Sequence, residues 1–182
     1  LHRTRRIVAL QLDQNGIGTL TRQTLQAHEG CVADEIGYPV MVKASAGGGG
    51  RIGPGDVQWM TAASGVVHEE KHSQAFSERG GEFEMVQLWV NLPARLKMTS
   101  PRYQDITSDQ IPEIRQEDGV KIRVIAGKVN DVHGPVKEIA AEPTYLDISI
   151  PPGKSFIQPI VKGHAALAYI FEGEGVFGAG DA

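Results

Sequence analysis

The 182-residue chain contains a single cysteine, Cys31, so no disulfide can form within it and a reducing compartment is expected. That residue reads as a small packed side chain rather than a nucleophile. No apolar run approaches the ~20 residues that span a bilayer. The basic opening, Leu1–Arg6, is not followed by the apolar stretch of a signal peptide. A cationic excess is missing as well. Lys and Arg number 18 against 22 Asp and Glu, giving a net charge of −4 and a pI of about 5.9, which argues against a nucleic-acid face at whole-chain level. No internal repeat of fixed period is present. The first residue is Leu, not Met, which suggests a processed, trimmed or incomplete reading frame.

What is present is an ordinary globular composition, 41% hydrophobic and 22% charged, at a length that suits one domain or two small ones. The 22 glycines and 10 prolines fall between short apolar runs, the pattern of many strands joined by turns. The clearest strand is Tyr145–Ile150, where Leu146, Ile148 and Ile150 alternate with Tyr145, Asp147 and Ser149. Pro151-Pro152-Gly153 should end it. Val120–Ile125 alternates in the same way, with Lys121 and Arg123 on the wet side. Glu82–Val90 and Ala165–Phe171 are rich in β-branched and aromatic residues, and a Gly53-Pro54-Gly55-Asp56 turn feeds Val57–Met60. Regular short strands of this kind predict a sandwich or barrel.

Residues 1–50 have a different character. Ile7–Leu12 reads as a strand and Asn15-Gly16 as a turn. Thr19–Ile36 is helix-compatible up to the stop at Tyr38-Pro39, and Val40–Ala44 is a short strand before the Gly47–Gly50 loop. A helix followed by a strand implies an α/β segment.

Four stretches carry a family resemblance. They are IGPGDVQWMTAASGVVHEE at 52–70, QLWVNLPARLKMTSPRYQD at 87–105, IRVIAG with HGPV within 122–136, and HAALAYIFEGE at 164–174. In this order the chain resembles the pirin family of two-cupin proteins over about residues 51–178. The resemblance implies a mainly β fold: a partial double-stranded β-helix, or cupin jelly roll, of bicupin type, with a short α/β N-terminal segment. It implies three parts: residues 1–50 of unrelated origin, 51–118 as a remnant of the first cupin with its linker, and 119–182 as the first part of the second.

Pirins hold a mononuclear iron with a His-x-His pair and a His-x-Glu pair. The second pair matches His68 and Glu70, so the resemblance makes these the metal ligands of an Fe(II) site and Glu70 the catalytic base. Residues i and i+2 of a strand share one face, and Gly65-Val66-Val67 reads as strand leading into the pair. Imidazole with carboxylate suits Fe(II) while leaving positions open. The upstream pair has no match: only His2 and His28 precede Gly53. The expected iron is therefore weakly bound or absent.

The implied activity is that of an iron-dependent quercetin 2,3-dioxygenase acting on a flavonol. The alternative is a non-catalytic protein that contacts transcription regulators or metabolic enzymes and meets nucleic acid only indirectly. No membrane partner is expected. The expected location is cytoplasmic, or also nuclear in a eukaryote, and open sheet edges predict self-association.

Two other motifs carry less. His68-Glu69-Glu70-Lys71-His72 fits H-E-x-x-H, but that zinc chemistry needs a helix and a further ligand. Residues 34–50, DEIGYPVMVKASAGGGG, resemble the ATP-grasp glycine loop of biotin carboxylases, in which the positions of Lys43 and Ala46–Gly50 contact nucleotide phosphates. Trp59 and Trp89 read as core aromatics, His133 as a loop residue and His164 as a structural residue opening a strand. Arg102, Tyr103 and Asp105 fall in a linker-like stretch.

Overall fold

The computed structural model of the chain describes residues 5–12, 18–27, 42–43, 55–67, 78, 80–137 and 142–178. These residues form a mainly β protein with almost no helix and with open sheets, as the short strands and turns of the sequence predict. Twelve strands are present among them: β1 Arg5–Leu12, β2 Gly18–Ala27, β3 Val42–Lys43, β4 Val57–Thr61, β5 Gly81–Val90, β6 Arg102–Ile106, β7 Glu113–Arg115, β8 Lys121–Ala126, β9 Lys128–Val129, β10 Val132–His133, β11 Thr144–Ile150 and β12 Ala165–Glu172. No described helix is long and apolar enough to cross a membrane.

The largest sheet has the order β12-β1-β11-β8-β7, with all neighbouring strands antiparallel. A three-stranded sheet runs β3-β4-β6, a two-stranded ribbon pairs β2 with β5, and another pairs β9 with β10. Strands from residues 1–50 enter three of the four sheets. β1 sits between β11 and β12, β2 pairs with β5 over ten residues, and β3 pairs with β4.

The middle of the five-stranded sheet is buried on both faces, and alternation along its strands decides what each face meets. Ile122, Val124, Leu146, Ile148 and Ile150, with Ile7 of β1, make one aliphatic cluster. Tyr145, Ile125, Ala126 and Phe171 turn the other way and pack with Val57, Trp59, Leu88, Val90 and Ile106. The bulge that lets Ile125 and Ala126 follow Val124 into the interior lies between Tyr145 and Leu146 in the β8–β11 register. β8 stops at Gly127 (φ +73°), where a Cβ would meet Thr144 Cα at 2.8 Å and the Pro143 carbonyl oxygen at 2.9 Å, so only glycine fits. β11 ends as expected before Pro151, and Gly153 (φ +72°) completes the turn.

Several sequence expectations need correction. Thr19–Ala27, read as helix-compatible, is strand: its β-branched threonines suit the ten-residue ladder with β5, and pairing of that length overrides a weak local helix preference. The remainder of that segment, residues 28–36, lies outside the described residues, as do Cys31 and the Asn15-Gly16 turn. Arg102–Asp105 is not linker but most of β6, paired along the whole of β4. His133 belongs to the short strand β10 rather than a loop. Gly65–Val67 is irregular and exposed instead of extended into a ladder. Trp59 is fully buried, as a core aromatic should be, whereas Trp89 is half-buried.

Candidate functional site

The residues expected to hold iron, His68 and Glu70, lie outside the described residues, as do His72, His2 and His28. The chain leading toward them is described. Beyond β4, Gly65 N–H donates to the Ala62 carbonyl at 2.8 Å, and Ser64 N–H donates to the Thr99 carbonyl at 3.2 Å, which ties this turn to the segment after β5. Ala63 (φ +45°) and Gly65 (φ +128°) turn the chain outward, and Val66 and Val67 emerge exposed. Among the described residues no group of three or more His, Cys, Asp or Glu side chains is placed to hold a metal. The two described histidines stand apart: His133 is on β10, and His164 Nδ1 lies 3.1 Å from Gln11 Nε2 at the start of β12.

The polar groups that the fold does bring together lie between the large sheet and the β3-β4-β6 sheet. Asp147 of β11 and Arg123 of β8 are register partners. Asp147 Oδ2 sits 3.2 Å from Arg6 Nη2 and 3.6 Å from Arg123 Nη1. The Asp147 side chain is 12% exposed and that of Arg123 19%, so both charges are largely removed from water. Arg123 Nη2 donates to the Gly55 carbonyl at 2.7 Å and to Ser108 Oγ at 2.9 Å, while Ser108 N–H donates to Asp56 Oδ1 at 2.6 Å. Gly55 (φ +81°) lies so close that a Cβ would stand 2.9 Å from Ser108 Oγ and 3.2 Å from Arg123 Nη1. The start of β4 is thus fastened to β8 by one guanidinium.

Around this clasp, Arg6 stacks over Phe171 at 4.6 Å from the ring centroid, and Tyr145 meets Trp59 edge to face at 6.4 Å. Burial, with Asp147 nearby, pushes the Tyr145 hydroxyl far up from its ordinary value and keeps it neutral. Trp59 Nε1 and Asp147 Oδ1 are buried with no hydrogen-bond partner among the described residues. On the far face of β4, buried Gln58 donates through Nε2 to Asp105 Oδ1 at 3.2 Å, and Tyr103 beside it is pushed up to about 12 by burial and then by Asp105.

This constellation joins sheets and orders the β4 turn. It offers neither a nucleophile beside a base nor a set of open metal ligands. The sequence reading placed Arg123 on a wet face and Asp147 on a mixed one. The signal it passed over was that two opposite charges occupy inward positions of adjacent strands.

Comparison with known proteins identifies relatives. Residues 37–90 match the Pirin family model. A Pseudomonas aeruginosa protein provisionally named a quercetin 2,3-dioxygenase is 47% identical over 131 residues, covering 71% of this chain and 45% of that protein. Human pirin is 38% identical over 134 residues, covering 73% of this chain and 43% of its own length. The solved quercetin 2,3-dioxygenase of Acinetobacter baumannii superposes with a TM-score of 0.48 at 29% identity, covering 83% of this chain and 66% of that one. The chain therefore spans somewhat under half the length of these two curated relatives. The family match begins at Gly37, inside the 34–50 segment, and no comparison supports the ATP-grasp resemblance of that segment.

Proposed function

We propose, from the pirin kinship that these matches support, that the chain is a pirin-type cupin related to quercetin 2,3-dioxygenases, with a weakened iron site. The observation that carries this reading is the 47% identity over 131 residues to the Pseudomonas aeruginosa protein. His68 and Glu70 would hold the metal, and Glu70 would accept the proton of the flavonol hydroxyl. Iron, when bound, supplies a charged centre at which a flavonol oxygen and dioxygen can meet. No His-x-His pair precedes Gly53 in this sequence, so the protein offers half of a four-ligand set and retention of the metal should be poor.

The test is an aerobic assay with added Fe(II) and quercetin, run on the wild type and on His68→Ala. Slow loss of the flavonol absorbance band that disappears in the variant is expected, together with metal lost on dialysis. Folded protein that gives no turnover at any iron concentration would reject the enzymatic reading. It would favour a second one, a non-catalytic interaction protein. That alternative draws on the exposed apolar side chains Ile157, Ile160, Val161, Leu167, Val176 and Phe177.

A further inference from the structure

We draw no further inference here: the strongest candidate, the surface of exposed apolar side chains before and after β12 (Ile157, Ile160, Val161, Val176 and Phe177), carries no proposal because nothing in the structure shows what covers it.

Discussion

At the middle of the β12-β1-β11-β8-β7 sheet both faces are buried, yet they are held by different physics. One face is mainly aliphatic, with Ile7, Ile122, Val124, Leu146, Ile148 and Ile150 packed on one another and the buried Gln11 at its margin. The other mixes Tyr145 and Phe171 with Asp147, Arg123 and Arg6, and meets a second sheet through both ring contacts and charge. On the first face burial needs no partner, and each fully buried aliphatic side chain contributes roughly 1.5–3 kcal/mol. On the second face a carboxylate is worth having only while its cations are in place, because a desolvated charge without a partner is costly. Apolar area therefore sets the stability of one face, and correct assembly sets that of the other.

The largest expected effect lies on the aliphatic face. Ile148→Ala removes a buried side chain from the middle of the central strand and should cost roughly 3–4 kcal/mol in denaturant unfolding. A loss below about 1 kcal/mol would mean that this face is loosely packed and that the contrast between the faces fails.

The mixed face should respond less, and in a manner that depends on its partners. Asp147→Ala leaves Arg123 and Arg6 without their carboxylate and should cost roughly 1–3 kcal/mol, less than a fully buried pair because Arg6 is partly exposed. Arg123→Met should also free the Gly55 carbonyl and Ser108 Oγ. A double-mutant cycle between the two should return a coupling of roughly 1 kcal/mol or more. Additive losses would show that the clasp is incidental and that only apolar contacts join the sheets.

The same contrast explains what could be read from the sequence. Tyr145–Ile150 and Val120–Ile125 were legible because an aliphatic face imposes a period of two that nothing else along the chain imitates. Thr19–Ala27 was not legible: its Thr, Arg and Gln residues suit either state locally, and the choice is made by β5, which lies some sixty residues away in the chain. The Asp147–Arg123 contact required knowing which two strands are neighbours, and so was out of reach of periodicity. His68 and Glu70 rest on likeness to pirins alone, and both lie outside the described residues.

The smallest effect concerns two tyrosines that divide along the same line. Tyr145 is enclosed between the sheets, whereas Tyr103 lies on the open side of β6 and remains 41% exposed. Burial followed by the Asp105 charge nevertheless pushes Tyr103 up to about 12 from 10.0. The folded state therefore holds the phenol proton more tightly than the unfolded chain does. Any stabilisation from this source is complete below pH 10 and is lost as pH rises from 10 toward 12, because the unfolded state releases its proton first. Absorbance titration near 295 nm should show a late phenolate step that is missing in Tyr103→Phe, and the alkaline fall in stability should be shallower in that variant. If Tyr103 ionises near 10 in the folded protein, Asp105 and the β4–β6 packing leave it as free as a tyrosine in water, and the far face of β4 is more open than the burial of Gln58 and Met60 implies.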